Sequence, residues 1–428
     1  MHVATNILVV GFLIFVAHAF TGLFSRTRVP DVLLLTIIGI FLGPVLHLVT
    51  PENFGAVGPV FATVTLVVIL FEAGLSIDLK ILRGVVRSTL TLTFTNFFLT
   101  MAAVGLAAHY LLHLDFRMTF TLGAIIGSTS PAVIVPLARR LSMQEASKTI
   151  VFLESAVSDV LSIVVAMGFL DSFRMGGIRL GPMIGNLIAT LLLAGLAGLA
   201  GAFLWSAMLR RIRGLENSIF TTPAFVFVLF GSVELLGFSG YVAAAVFGAV
   251  LGNIQVFHGI FWMRRYLPHD PITLNETERV FMGEAVFLLK TFFFVYVGVS
   301  IRFTDFRLVY IGLTLTVLIF LLRIPATLVG LHHGTTPPRD ASLVSILSPK
   351  GLAAVVLASL PLEQHLEGGT ALQAVTYCVV FISIVLTSVM SFLIERTRFA
   401  RLYESLFRSF RPALPFAGPA ESSSLETP

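Results

Sequence analysis

Long, unbroken apolar runs constrain this chain more than any other feature. Runs of about 20 apolar residues recur through most of its 428 residues, and about 20 is the length a helix needs to cross a bilayer. They do not alternate with polar residues, which excludes an outer-membrane barrel. Only 12% of the residues are charged, about half the share that covers a soluble enzyme. The sequence therefore predicts an all-α polytopic membrane protein.

Thirteen such runs are long enough to be membrane spans. An odd number of spans places the two ends of the chain on opposite sides of the membrane. The predicted spans lie at 6–24, 31–49, 57–77, 88–112, 118–138, 149–170, 183–209, 218–236, 239–254, 280–301, 308–331, 341–360 and 371–394.

Basic residues fall unevenly between alternate loops. Most of the 28 Lys and Arg residues lie in one set of loops and in the stretch after span 13. The positive-inside rule places that set in the cytoplasm, so the N-terminus is outside and the protein lies in the cytoplasmic membrane. The outer loops hold Arg117, Arg174, Arg179, Arg302 and Arg307. Lys290, Arg323 and Lys350 lie inside spans, so topology does not explain them.

Two further classes of site are excluded by composition. The single cysteine, Cys378, forbids an internal disulfide and any metal site built from cysteines. No basic soluble segment is present to bind a nucleic acid. We therefore expect membrane lipid, and no nucleic acid, as a partner of the chain.

Short matches between the two halves indicate an internal repeat. They pair spans 2, 3 and 5 with spans 9, 10 and 12, and a shift of seven spans reverses direction across the membrane. An inverted-topology repeat of this kind is typical of secondary transporters. The matches are Gly39 and Gly43 with Gly248 and Gly252, Gly74-Leu75-Ser76-Ile77 with Gly298-Val299-Ser300-Ile301, and Ser130-Pro131 with Ser348-Pro349.

The repeat predicts how the chain is organised. We expect one transmembrane domain over 6–394, followed by a short, basic, disordered cytoplasmic tail over 395–428. Within the domain, repeat one covers about 6–170, a linker helix about 183–209, and repeat two about 218–394.

The two Ser-Pro pairs fall near the middle of spans 5 and 12. Proline removes a backbone donor, and in lipid the freed carbonyls must find partners. A single proline of this kind is equally consistent with a simple kink in a continuous helix. Two at equivalent positions, Pro131 after Ser130 and Pro349 after Ser348, favour two crossed broken helices whose unwound carbonyls form an ion site. The first break, Gly127-Ser128-Thr129-Ser130-Pro131, is dense in the oxygens that suit an alkali cation.

Span 6 carries a carboxylate about halfway through the membrane. A charge there costs roughly 2.5–3.5 kcal/mol, so Asp159 needs a partner or a purpose. At about 100° per residue, Ser155 and Ser162 share its helix face and Ser158 lies beside it. A structural salt bridge is the alternative, but the hydroxyl stripe favours a cation or proton site. Asp159 is the residue we expect to hold the transported metal cation.

The other charges inside the spans are expected to be structural or to surround the same site. Glu154 lies nearer the cytoplasmic end of span 6, where pairing is its expected role. Glu72, in span 3, either lines the ion site or caps it. Lys290, Arg323 and Lys350 are expected to balance the buried carboxylates.

At these residues the sequence resembles the monovalent cation:proton antiporter superfamily, and in particular its NhaP-like and sodium/proton exchanger branch. The resemblance covers about residues 6–394. The motifs that carry it are Phe71-Glu72-Ala73-Gly74-Leu75 with Asp78-Leu79-Lys80, Thr129-Ser130-Pro131, Glu154-Ser155 with Asp159, Ser239-Gly240-Tyr241 with Gly252-Asn253, Arg323, and Lys350-Gly351.

The resemblance implies a homodimer with a scaffold domain and a mobile core that carries the crossed broken helices. It implies that Asp159 binds cation and proton alternately, with ligands from Thr129 and Ser155 and with Glu72 as a further candidate. It also implies a structural pair between Glu154 and Arg323.

The chain departs from that branch at two positions. The branch usually has aspartate where this chain has Ser130, and asparagine where it has Ser158. Electrogenic relatives carry a second aspartate at the latter position, paired with a lysine in span 10. Because Asp159 stands alone here, we expect electroneutral exchange, one proton per cation. We expect Lys290 to pair with Glu154 or to lie against the unwound carbonyls.

The sequence therefore predicts a secondary antiporter that exchanges Na⁺ or K⁺ for H⁺, without catalysis and without a cofactor. A K⁺/H⁺ antiporter, a cation channel-like pathway and a transporter-like sensor without flux are the alternatives on the same fold. Asp159 favours an antiporter, because a channel does not need a protonatable group that occludes its path.

Overall fold

The computed structural model describes residues 11–12, 14–19, 31–50, 57–75, 77, 79–175, 180–212, 218–255, 274–301 and 305–410, and every regular element in them is a helix. Residues 11–12 and 14–19 are helical, a π-helical stretch, Phe41–Val45, continues α1, and a 3₁₀ turn, Ser218–Phe220, precedes α8. The α-helices are α1 (Asp31–Ile40), α2 (Val57–Leu75), α3 (Leu79–Leu112), α4 (Phe116–Gly127), α5 (Pro131–Ala138), α6 (Glu145–Met175), α7 (Leu180–Ile212), α8 (Thr221–Leu235), α9 (Gly240–Gly252), α10 (Glu276–Ser300), α11 (Phe306–Gly330), α12 (Pro338–Ile346), α13 (Leu352–Glu363), α14 (Gly369–Arg396) and α15 (Phe399–Glu404).

Within the described part of the chain, seven helical stretches are long and apolar enough to cross a membrane. Shorter apolar helices accompany them at 33–45, 63–75, 221–235, 240–252 and 353–362. The protein is therefore a multi-pass, all-helical membrane protein, while the total of thirteen spans stays a prediction. The predicted first span lies partly outside the described residues, as do Ser76, Asp78 and most of the loop after span 9. The seven are Gly84–Leu112, Phe116–Ala138, Glu145–Leu170, Leu187–Leu209, Glu276–Ser300, Phe306–Gly330 and Gly369–Arg396.

The helices pack into two bundles. Bundle 1 consists of α1, α2 and α7 to α10, and bundle 2 consists of α3 to α6 and α11 to α15. The bundles meet where α2 touches α5, where α6 touches α7 and α9, and where α1 touches α14. Bundle 2 contains both Ser-Pro breaks, and α6, which carries Asp159, lies at the boundary.

Two helices are interrupted where the sequence predicts. The first runs from α4 into α5, with Ser130 extended between them and Pro131 in the first turn of α5, where a proline without an N–H loses no hydrogen bond. The second runs from α12 into α13, and residues 347–351 are non-helical. The two breaks touch, because the Ser130 N–H donates to the Pro349 carbonyl at 2.8 Å.

Bundle 1 is held by close helix contacts at glycines. Gly39 lies against the Val295 backbone on α10, and Gly248 lies against the Phe71 backbone on α2. A Cβ atom at either glycine would overlap a carbonyl oxygen. Small residues allow membrane helices to approach this closely, so the apolar pattern alone does not set the packing of this bundle.

The expectation of a disordered tail from residue 395 is wrong for its first part. α14 continues to Arg396, and α15 with the 3₁₀ turn Ser405–Phe407 packs against α12. The aromatic rings explain the order, since Phe407 and Phe410 are buried in the core of bundle 2. Residues 411–428 lie outside the described part of the chain.

Candidate functional site

Asp159 is buried on α6 at the boundary of the two bundles. In bundle 2 this helix packs mainly against α3 and α4 and also against α5, while α7 and α9 of bundle 1 contact it from the other bundle. The Ser128 side chain is hydrogen-bonded to the Asp159 carboxylate and the Lys350 ammonium attracts it electrostatically, one residue from each helix break. The three residues come together only because the two interrupted helices cross next to α6.

The first break is attached to α6 by hydroxyl groups. The Thr129 N–H donates to the Ser158 hydroxyl oxygen at 3.1 Å, and the two hydroxyls lie 3.2 Å apart. The Ser158 hydroxyl also donates to the Ser155 carbonyl at 3.1 Å. The structure thus brings together the predicted ligands Thr129, Ser155 and Ser158, within one turn of Asp159.

The hydroxyls of the polar stripe on α6 have different partners. The Ser155 hydroxyl donates to the Phe152 carbonyl of its own helix at 2.8 Å. The Ser162 hydroxyl donates to the Ala124 carbonyl of α4 at 2.9 Å. Ser162 therefore fastens the first broken helix to α6, one turn beyond Asp159.

Lys350 occupies the crossing point of the two breaks. Its ammonium donates to the Ser128 carbonyl at 2.8 Å and approaches the Ser348 hydroxyl at 3.3 Å. Its backbone N–H donates to the Ser383 hydroxyl at 2.9 Å. A carbonyl that the first break frees from helical bonding thus gains a charged donor. Lys350 is 1% exposed, so water screens little of the attraction between its charge and Asp159.

The crossing leaves no room for larger side chains. A Cβ atom at Gly351 would overlap the Ser130 hydroxyl. The Ser130 N–H, on the other side of the same residue, is bonded to Pro349. Both the backbone and the side chain of Ser130 therefore contact the second break.

Glu154 and Arg323 form a fully buried ion pair. The Arg323 guanidinium donates to both carboxylate oxygens, one of them at 2.6 Å, and its Nε donates to the Val344 carbonyl at 3.3 Å. Neither side chain is exposed. The pair connects α6, α11 and α12, which is the contact that the resemblance implied.

Glu72 lies in an ion pair that the sequence did not predict. Arg139, which ends α5, donates to the Glu72 carboxylate at 2.5 Å. The two side chains are partly exposed and belong to different bundles. In this structure the contact of Glu72 is therefore with the end of the first broken helix.

The acceptors that we expected Lys290 to meet are bonded to other cations. Lys290 is buried on α10, with its ammonium 6.0 Å from the centre of the Phe287 ring. The Glu154 carboxylate is bonded to Arg323 and the Ser128 carbonyl to Lys350. Arg323 and Lys350 thus occupy the acceptors that we expected for Lys290, whose own pairing stays a prediction.

Three residues of the site were missed in the sequence. Ser128 lies within the polar first break, but nothing marks it out from its neighbours there. Arg139 belongs to no motif, although it directly follows the span predicted at 118–138. Ser383 is one hydroxyl among several on α14, and only the fold shows that it accepts a hydrogen bond from the backbone N–H of Lys350.

The arrangement places the Asp159 carboxylate, bonded to the Ser128 side chain, within one turn of Ser155 and of the bonded hydroxyls of Ser158 and Thr129. Within the described residues no three His, Cys, Asp or Glu side chains lie close enough to hold a metal ion. Carboxylate, hydroxyl and carbonyl oxygens are ligands for a hard cation, and a carboxylate also takes a proton. The geometry therefore allows one cation and one proton to compete for Asp159.

Comparison with known proteins gives consistent matches over almost the whole chain. The family model for the transmembrane part of sodium/hydrogen exchangers matches residues 11–395. The chain is 24% identical over 354 residues to Na(+)/H(+) antiporter 1 of Methanocaldococcus jannaschii, with 78% of each chain covered. It is 23% identical over 370 residues to the Na(+)/H(+)-K(+) antiporter GerN of Bacillus cereus, with 84% of this chain and 89% of the relative covered. The fold resembles a solved structure of the sodium proton antiporter MjNhaP1 from Methanocaldococcus jannaschii, with a TM-score of 0.70 at 20% identity, over 96% of this chain and 100% of the other.

Proposed function

Since the chain belongs to the sodium/hydrogen exchanger family, we propose that it is an antiporter that exchanges Na⁺ for H⁺ across the cytoplasmic membrane. The observation that carries this proposal is the position of Asp159, which is buried beside two crossing helix breaks with the Ser128 side chain bonded to its carboxylate and the Ser158 hydroxyl one residue away. A charge at this depth is costly without a partner. Its carboxylate is therefore occupied by a cation or by a proton throughout the cycle.

The cation ligands in this proposal are Asp159, Thr129 and oxygens of Ser155 and Ser158. The bonds between Thr129 and Ser158 support it, because they hold the first break next to the carboxylate. Lys350 keeps the two breaks joined at their crossing point through its bond to the Ser128 carbonyl when the cation leaves. Asp159 then takes a proton, so that the cation and the proton cross the membrane in opposite directions.

The proposed architecture is an inverted repeat of thirteen spans in which bundle 2 moves against bundle 1. The glycine contacts of bundle 1 support the repeat. Gly39 contacts the backbone of Val295 in the same way that Gly248 contacts the backbone of Phe71. Phe71 and Val295 are themselves equivalent, because each lies three residues before its own copy of the Gly-x-Ser-Ile motif. The scarcity of contacts between the bundles supports the movement.

Glu72 has a defined place in such a movement. Its ion pair with Arg139 joins the bundles at the end of α5, on the side that the distribution of basic residues assigns to the cytoplasm. An ion pair between two moving bodies forms in one state and breaks in the other. We therefore assign the Glu72 and Arg139 pair to the state in which the cytoplasmic side is closed.

K⁺ is the second candidate for the transported cation. The relative named as a Na(+)/H(+)-K(+) antiporter supports it, and hydroxyl and carbonyl oxygens can coordinate either ion. A homodimer, with bundle 1 as its scaffold, and an outer N-terminus complete the proposal. Both rest on the family resemblance and on the charge distribution.

The test uses purified protein in liposomes that contain a pH-sensitive dye. Na⁺, K⁺ and Li⁺ are added outside in separate experiments, and the change in internal pH is followed. We expect Na⁺ to drive proton exit, and a response to K⁺ alone would replace Na⁺ in the proposal. A cation flux that follows the voltage and moves no protons would favour the channel-like alternative and overturn the antiporter.

A further inference from the structure

A polar cleft lies between the ends of α3 and α11, away from the ion site. One wall is formed by Arg87, Ser88 and Thr91 of α3, and the other by residues 329–334, where α11 ends. The cleft is open and has a volume of about 340 Å³. This space is large enough for a phosphate and the glycerol carbons attached to it.

The ionisable side chains that line the cleft are all basic. Arg87 is exposed and makes no ion pair within the described part of the chain. His332 and His333 are the other ionisable residues of the lining, and no acidic side chain belongs to it. The cleft is therefore suited to an anion.

The two histidines are held in fixed positions. The Gly334 N–H donates to His332 Nδ1 at 3.2 Å, which leaves Nε2 of that ring to carry the proton and to donate. The His333 ring stacks on Phe410, with the ring centres 4.2 Å apart and an angle of 10° between the planes. A preformed donor set loses little conformational freedom when it binds a ligand.

The cleft opens beside surface that faces lipid. It lies at the ends of two helices that are long enough to cross the membrane. Leu90 and Phe94 on α3 and Val329 on α11 are exposed apolar residues of those helices, next to the polar lining. Acyl chains can lie along them while a headgroup enters the cleft. Basic pockets between membrane helices on the cytoplasmic side are typical of sites for anionic lipid headgroups.

We propose that this cleft binds the phosphate of an anionic membrane phospholipid, with Arg87 as its charge partner and His332 and His333 as hydrogen-bond donors. Ser88 lines the same space, and its hydroxyl is a further donor. The proposal does not depend on the transported cation, because the cleft and the carboxylate of Asp159 share no residue.

The test measures lipid binding directly, by native mass spectrometry of the full chain in detergent. Phosphatidylglycerol is compared with phosphatidylcholine at equal concentration. We expect the wild type to prefer phosphatidylglycerol, and Arg87→Gln to lower that preference roughly fivefold, the effect of one basic residue near a charged headgroup. The matched control is Arg211→Gln, which removes the same charge from an exposed residue at the end of α7 and should leave the preference unchanged.

A second variant tests the same wall of the cleft independently, in case Arg87→Gln does not fold. Ser88→Asp adds a negative charge to the same wall and should also remove the preference, while the elution profile stays that of the wild type. An unchanged preference in both variants, or an equal loss in Arg211→Gln, would overturn the proposal. Inorganic phosphate is added in a separate experiment. Binding of phosphate that depends on Arg87, without a preference for phosphatidylglycerol, would assign the cleft to a soluble anion and reject the lipid.

Discussion

Both carboxylate oxygens of Glu154 are bonded to the guanidinium of Arg323, and neither side chain is exposed. A buried pair of this kind is not strong evidence for stability in itself. Removing one member, however, leaves the other charge without its partner in a region of low dielectric. The consequence of substitution is therefore predictable in direction and in rough size.

We predict that Glu154→Gln destabilises the protein by about 3–5 kcal/mol, the range for breaking a buried pair, and changes the apparent affinity for Na⁺ much less. Thermal unfolding in detergent and the Na⁺ dependence of exchange measure the two quantities. The control on the same helix is Glu145→Gln, whose exposed carboxylate pairs with Lys148 and should contribute at most about 1 kcal/mol. A large loss of Na⁺ affinity with normal stability would move Glu154 into the ion site.

Glu72 and Arg139 allow a sharper experiment, because the alternatives for Glu72 predict different patterns. If the pair joins the bundles, Glu72→Gln and Arg139→Gln should change the maximal exchange rate by the same factor and in the same direction. The double variant should then behave like either single variant, since each removes the same interaction. If Glu72 is a cation ligand instead, Glu72→Gln raises the KM for Na⁺ and Arg139→Gln does not.

Exchange is expected to be electroneutral, with one proton for each monovalent cation. Asp159 is the one carboxylate of the proposed site, and Ser158 cannot carry a proton at physiological pH. The membrane potential acts with about 2.3 kcal/mol per net charge per 100 mV, so it should neither drive nor oppose a cycle that moves no net charge. Initial rates at several potentials set by K⁺ and valinomycin should be equal. A current that scales with turnover would show that Lys290 or Lys350 also exchanges a proton.

The first part of the tail should stabilise bundle 2. The hydroxyls of Tyr403 and Ser345 lie 3.1 Å apart, and Ser345 lies just before the second helix break. Tyr403→Phe should lower the free energy of unfolding by about 0.5–1.5 kcal/mol. Tyr310→Phe is the control, since Tyr310 is 70% exposed and should tolerate the change.

The same bond should be insensitive to pH over the range used for transport. Burial raises the pKa of Tyr403 above its usual 10.0, and the Ser345 hydroxyl opposes that shift less strongly. A raised pKa in the folded state favours the protonated phenol. The stability from Tyr403 should then be constant below pH 10 or so and fall only as the pH rises through the raised pKa. A difference between Tyr403→Phe and wild type that vanishes between pH 6 and pH 8 would contradict this.

Much of the fold follows from the sequence, because a membrane span needs a fixed length of apolar residues. The span predicted at 57–77 is the helix Val57–Leu75, and the prolines at 131 and 349 lie at helix interruptions. The order of the first part of the tail was missed because its two buried rings, Phe407 and Phe410, are too few to form an apolar run.

The site was harder to predict, because its contacts join residues that are far apart in the sequence. Helical periodicity places Ser155 and Asp159 on one face of α6. It cannot show that Arg139 reaches Glu72 from another bundle, or that Lys350 bonds to the unwound carbonyl of Ser128. Those contacts depend on how two interrupted helices cross, and no local pattern encodes the crossing.

Exchange by Asp159→Asn is the most direct measurement of the central claim, that one carboxylate binds cation and proton in turn. The amide has nearly the same shape but neither charge nor an exchangeable acid proton. We predict that the variant folds normally and that Na⁺ moves no more protons from dye-loaded liposomes than it does from liposomes without protein. Asp115→Asn, at an exposed aspartate paired with Arg117, should exchange at the wild-type rate. Proton-coupled Na⁺ flux at the wild-type rate in Asp159→Asn would contradict the account.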